Sequence, residues 1–167
     1  MAKRTHLVDF RITINVKSDE AQDRLEGMLD RMKDFSPVLR HAGEKLERAF
    51  SENFTTMGMM SAKAMLKGAW PPLDPQYAAW KALRYPGAPP LVQTGELFRS
   101  VANLTKGPVN FVSDHEASFG VYGKIAKFHQ YGTENMPARK IIFVPRDFDR
   151  DMGKVITKYI KYGSQIT

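Results

Sequence analysis

Four pieces of one stretch decide the fold: PPLVQTGELFRSV at residues 89–101, ASFGVYG at 117–123, FHQYG at 128–132 and PARKIIF at 137–143. The first reads as a turn feeding a short helix, with Thr94 as N-cap, Gly95 and Glu96 in the first turn, and Leu97, Phe98 and Val101 facing inward. In the second, Ala117, Phe119 and Val121 alternate with Ser118 and Gly120, and Val109–Val112 supplies an antiparallel partner across the polar turn Ser113-Asp114-His115-Glu116. The third ends a short helix that Gly123 opens and Gly132 closes as C-cap. Lys140 to Val144 in the fourth reads as a last strand, stopped by Pro145.

Upstream, Val8, Phe10, Ile12, Ile14 and Val16 fall on every second position, the period of a strand with one buried face. Ser18 can cap the next segment, whose Ala21, Leu25, Met28, Leu29, Met32 and Phe35 form the stripe of an amphipathic helix. Ser36-Pro37 restarts the helix, with serine as N-cap and proline at the first position, and Val38, Leu39, Ala42, Leu46, Ala49, Phe50 and Phe54 form a second stripe. These two helices are expected to pack on the face of the sheet.

Between Thr55 and Pro90 the texture changes to clustered methionines, Trp70-Pro71-Pro72, a short candidate helix from Asp74 to Leu83, and Tyr85-Pro86-Gly87-Ala88-Pro89-Pro90. Proline and glycine at this density oppose a continuous element, and the segment reads as a protruding arm or long loop ordered against a neighbour. Asp147 to Tyr162 closes the chain as a helix with Phe148, Met152, Val155, Ile156, Tyr159 and Ile160 on one stripe. The expected architecture is α+β, a single domain over residues 1–167. It would have a small, mostly antiparallel sheet of about four strands against two or three long helices, with residues 55–90 as an extended arm within it.

With 167 residues, 43% of them apolar, the chain can bury one core. It has no cysteine, which excludes disulfides, thiolate zinc sites and cysteine catalysis, and its four histidines, His6, His41, His115 and His129, show no metal-ligand spacing. No run is long and apolar enough to span a bilayer, and the amino terminus MAKRTHLVDF lacks a signal-peptide apolar core, so a soluble, non-secreted protein is expected. The net charge of +7 suits polyanions, yet the cations are spread along the chain without a polybasic block. Asp114-His115-Glu116 lies at a turn, where polar residues belong in any case, and His129 has no carboxylate or nucleophile near it in sequence. Glycine elbows and phosphate loops are absent. No catalytic site, metal or cofactor is expected.

The order of signals from Trp70 onward resembles the phage virion morphogenesis family, the tail-completion proteins of long-tailed phages. Those signals are Trp70-Pro71-Pro72-Leu73, Tyr77, Trp80-Lys81, Leu91-Val92-Gln93-Thr94-Gly95-Glu96-Leu97, Gly120-Val121-Tyr122, His129-Gln130-Tyr131-Gly132 and Pro137-Ala138-Arg139. The resemblance covers roughly residues 37 to 162, and Lys140 stands where the family usually has an aromatic or aliphatic residue. It implies a non-enzymatic virion protein that forms a homo-oligomeric ring, a hexamer, at the head-tail junction or neck, terminating or completing the tail. The protein would assemble in the host cytoplasm. Its implied partners are copies of itself, the tail tube protein and the head connector or adaptor, with no membrane involved. Subunit or partner contacts would fall on Trp70, Tyr77, Trp80, Thr94, Gly95, Leu97, His129, Gln130, Tyr131, Gly132 and Arg139. Non-specific contact with genomic DNA in the channel would fall on Lys63, Lys67, Lys124 and Lys127. The other reading open at this point is a basic nucleic-acid-binding protein.

Overall fold

The computed structural model describes residues 19–65, 68–121 and 123–163. The strand expected from Val8 to Val16, the cap at Ser18 and the candidate channel residue Lys67 lie outside the described residues. Within them the order is α1 (Asp19–Lys33), α2 (Ser36–Thr55), α3 (Met59–Met65), α4 (Pro75–Arg84), α5 (Glu96–Ala102), a 3-10 turn (Leu104–Lys106), β1 (Val109–Val112), β2 (Ala117–Gly120), α6 (Lys124–Tyr131) and α7 (Phe148–Tyr162).

Helix α2 is the element on which the others rest. One side meets α5, the 3-10 turn and α3, its neighbouring face meets the hairpin, and its amino-terminal part meets α7, on which α1 lies. The main core gathers Ala49, Phe50 and Phe54 of α2 with Val101, Leu104, Ile141 and Phe143. A second cluster joins Val38 to Met152 and Tyr159 of α7. Gly43 sets the approach of helix to hairpin: a Cβ there would lie 2.5 Å from the Phe119 ring. Any side chain at this position would push β2 away.

The caps shift by one residue from their sequence reading. Phe35 is the N-cap of α2, and the Asp34 carboxylate accepts the Ser36 N–H, so Ser36 and Pro37 sit inside the first turn. Gly95, at φ 76°, is the N-cap of α5, with the Thr94 hydroxyl 3.5 Å from the Glu96 nitrogen. Glycine takes this left-handed position without steric penalty, which is why the turn passes to it from threonine.

The sheet is smaller than expected. Among the described residues it has two antiparallel strands, in the register Val109↔Gly120, Asn110↔Phe119, Phe111↔Ser118 and Val112↔Ala117. The segment Lys140 to Val144 is not a strand. Its alternation is real, because Ile141 and Phe143 are buried while Ile142 and Val144 are exposed. Side chains, not a neighbouring strand, satisfy its backbone. Gln130 Oε1 accepts the N–H groups of Ile141 and Ile142 (2.8 and 3.0 Å), and Gln130 Nε2 donates to the Ile142 carbonyl (2.8 Å). An alternating pattern reports which side chains are buried, and here burial was achieved without a ladder.

The long extended arm expected over residues 55–90 is not seen either; two short helices occupy much of the segment. Met57 (φ 50°) and Gly58 (φ 89°) reverse the chain after α2, and a Cβ at Gly58 would lie 2.4 Å from the Trp70 ring. Trp70 packs edge-on against Phe54 (5.4 Å between ring centres) and joins the main core. The prolines that argued against regular structure include Pro75, which begins α4 where a missing N–H is harmless, behind Asp74 as a side-chain N-cap accepting from Gln76 and Tyr77 (2.9 and 3.1 Å).

Candidate interaction cleft

A cleft of about 750 Å³ lies where four parts of the chain meet: the leg entering α4, the turn before α5, the amino-terminal half of α6, and the loop from Asn135 to Arg139. Of the residues singled out in the sequence, Tyr77, Thr94, Gly95, Leu97, Lys124, His129 and Arg139 line it. Trp70, Trp80, Gln130, Tyr131, Gly132, Lys63 and Lys127 do not.

The cleft wall is built from buried polar side chains that hold irregular backbone. Arg139 is 3% exposed, and its guanidinium donates from Nε to the Pro71 carbonyl (3.0 Å) and from Nη2 to the Pro72 carbonyl (2.7 Å). Its own N–H donates to the carbonyl of His129 (2.7 Å). Lys81, also buried, reaches from α4 to the Pro89 carbonyl. Two cations thus clasp the two legs of the α4 excursion by carbonyls of residues that have no N–H and cannot belong to a ladder. Burial pushes the Lys81 ammonium and the Arg139 guanidinium below their ordinary pKa values.

Gly132, at φ 79°, ends α6 under the same loop. A Cβ there would lie 2.9 Å from both the Ala138 nitrogen and the Met136 carbonyl oxygen, while Thr133 and Met136 bond to each other across the turn. Beside it, His129 Nδ1 is buried without a hydrogen-bond partner. Burial first, and the Arg139 charge second, hold the His129 imidazole below its ordinary pKa. The charge that acts on it is cationic, the opposite of the carboxylate partner that would raise its basicity.

Two polar residues central to this construction were not legible as such. Asn53, fully buried on α2, donates to the Lys140 carbonyl (2.9 Å) and accepts the Ser61 N–H (2.9 Å), and Trp70 Nε1 donates to the same Lys140 carbonyl (2.9 Å). Asn53 joins α2, α3 and the 139–143 segment at one point. An asparagine at a position of the apolar α2 stripe was the signal that could have found it. Lys81 stands in the Trp80-Lys81 signal of the resemblance, but its burial is not legible there; its i+4 relation to Tyr77 puts it on the cleft face of α4.

Outside the wall is an apolar rim. Tyr77 and Trp80 stack at 5.6 Å, Trp80 meets Tyr85 at 6.0 Å, and Leu83 extends the row at 86% exposure. Tyr131 on α6, 71% exposed, carries Lys140 Nζ 5.1 Å above its ring. Lys63, Lys124 and Lys127 are exposed on α3 and α6.

Among the described residues no group of three or more histidines and carboxylates could hold a metal ion, and no helix is long and apolar enough to cross a membrane. The chain belongs to the phage virion morphogenesis family, whose model matches residues 16–161. That is a family of structural and assembly proteins of bacteriophage virions. Neither the curated proteins nor the solved structures give a match.

Proposed function

We propose that the protein is a non-enzymatic virion component that forms a homo-oligomeric ring, a hexamer, at the head-tail interface. There it terminates or completes the tail and joins it to the head connector. Its partners are its own copies, the tail tube protein and the connector or adaptor, and genomic DNA passes in loose contact with its lysines.

The observation that carries this reading is the convergence of family-like motifs, distant in sequence, on one cleft beside an exposed aromatic helix face. Trp80, 47% exposed, and Tyr77, 42% exposed, sit on α4 and leave much of their rings uncovered by the described residues. Rigid aromatics at the margin of a pocket provide contact area with little loss of rotamer entropy, the composition of a protein-protein hot spot. A ring closes such a head-to-tail contact by rotation, so the same rim on every copy is covered.

Imaging the intact particle tests this. A sixfold ring of this protein seated on the tail tube is the expected result, and a twelvefold ring against the portal would reassign it as an adaptor. In solution the rim is tested by point substitutions on α4. Deleting residues 57 to 88 would also remove Trp70 and α3 from the core and so confound assembly with folding.

A further inference from the structure

Helix α7 carries a row of cations on the face turned away from the core. Arg150, Lys154, Lys158 and Lys161, the third of them half-buried, lie at spacings of four, four and three residues and share a shallow depression with Gly153, Thr157 and Tyr162. At 100° per residue these four side chains fall within an arc of about 80°, opposite the Met152 and Tyr159 face that packs against α2. The row runs about 16 Å along the helix.

An exposed helix face is usually a mixture of signs, and α1 shows that pattern: Arg24 pairs with Glu20 and Lys33 with Asp30 (2.5 and 2.8 Å). On α7 the carboxylates are confined to the first turns, where Arg150 meets Asp147 and Asp151 (3.1 and 3.7 Å). Among the described residues Lys154, Lys158 and Lys161 have no ion-pair partner. Arg31 of α1 reaches the same end of α7, donating from Nε to the Ile160 carbonyl (2.7 Å) and from Nη2 to the Lys161 carbonyl (3.3 Å).

Gly153 is a second, independent observation. Glycine inside a helix lowers its stability relative to alanine, and it is normally kept where a side chain would collide. Among the described residues a Cβ at Gly153 would meet nothing within 4 Å, so none of their contacts explains it. Its bare backbone opens the floor of the depression beside Lys154, where a ligand can come close.

We infer that the outer face of α7 binds the phosphate backbone of double-stranded DNA, independently of sequence, through Lys154, Lys158 and Lys161. Three cations in a line, about 6 and 4.5 Å apart along the helix axis and without an ion pair among the described residues, although Asp151 acts on Lys154 at longer range, suit a polyanion with charges repeated along one direction. A membrane surface is a poorer match, because Tyr162, 69% exposed, is the one aromatic in the depression, and a lone ring is not the broad apolar face that an interfacial helix inserts. The choice of double-stranded DNA among polyanions rests on the proposed place at the head-tail interface. Binding by the isolated protein can succeed or fail whether or not a ring forms.

The test measures binding of a 30-base-pair duplex to the full chain between about 50 and 200 mM salt, the range over which phosphate contacts weaken strongly. The Lys154→Gln/Lys158→Gln/Lys161→Gln variant should lower the slope of log affinity against log salt by about 3 and weaken binding alike for unrelated sequences. The Lys124→Gln/Lys127→Gln variant should keep a slope near that of the wild type. Gly153→Ala should raise the melting temperature while weakening DNA binding, a split that a purely structural glycine would not give. An unchanged slope in the triple variant overturns the assignment. So does loss of binding in the α6 variant alone, or tighter binding to phosphatidylserine vesicles than to DNA with the same dependence on the three lysines.

Discussion

The wall and the rim of the cleft come from the same stretch of sequence and do opposite things. Arg139, Gln130, Gly132 and Trp70 turn inward and hold irregular chain in place. Tyr77, Trp80 and Tyr131 turn outward and leave large aromatic surface in water. A motif such as His129-Gln130-Tyr131-Gly132 mixes both kinds of residue within four positions. Loss of the inward residues should therefore destabilise the subunit, while loss of the outward ones should leave the fold intact.

The largest effect on folding is expected at Asn53. Asn53→Ala strands the Ser61 N–H in the core and removes one of two donors from the Lys140 carbonyl. A buried orphan amide together with a small cavity costs about 3 kcal/mol, or roughly 6–12 °C in melting temperature for a chain of this size. A shift below about 2 °C would show that the wall is not held from α2.

Gln130→Ala comes next. It removes three hydrogen bonds from the backbone of Ile141 and Ile142, but Ile142 is partly exposed and water can replace some of them. A cost of about 1–2 kcal/mol is expected, with faster amide exchange at Ile141 and Ile142 as the local readout. Unchanged exchange there would break the claim that one glutamine replaces a strand.

A smaller effect, seen only with pH, belongs to His129. Its folded-state pKa is lowered by burial and by Arg139, so the fold prefers the neutral ring. The stability this provides is fully present above the ordinary histidine value of about 6.5 and is lost as pH falls through it toward the lowered folded value. Melting temperature should therefore decline between about pH 7 and 5 more steeply in the wild type than in His129→Gln. Parallel curves would place no titrating imidazole in the wall.

These contrasts mark what was legible in the sequence. The hairpin, α6 and α7 were readable because their signals are local: alternation around a polar turn, glycines at helix ends, and a stripe of period 3.6; the short helix expected from Asp74 to Leu83 is α4. The last strand was misread because Ile141 and Phe143 bury alternate side chains without a neighbouring strand, and the substitute partner, Gln130, lies eleven residues from Ile141. The 55–90 segment was read as an extended arm because its prolines oppose long elements. The sequence does not reveal that Gly58 makes room for Trp70, or that Arg139 returns to clasp Pro71 and Pro72. Of the eleven contact residues that the family resemblance implies, Tyr77, Thr94, Gly95, Leu97, His129 and Arg139 line the cleft, whereas Asn53 carries no signal in the resemblance and the buried bond of Lys81 shows only in the folded chain.

The smallest effect on folding is expected at the rim, where the central claim is tested most directly. The double variant Tyr77→Ala/Trp80→Ala removes the exposed stack on α4, and as a surface change it should move stability by no more than about 0.5–1 kcal/mol. The measurement is the mass of the assembled protein in solution, taken beside its melting temperature. The wild type should form a closed oligomer and the variant a folded monomer melting within about 3 °C of it. A variant that keeps the wild-type mass, or a wild type that never assembles, would contradict the account.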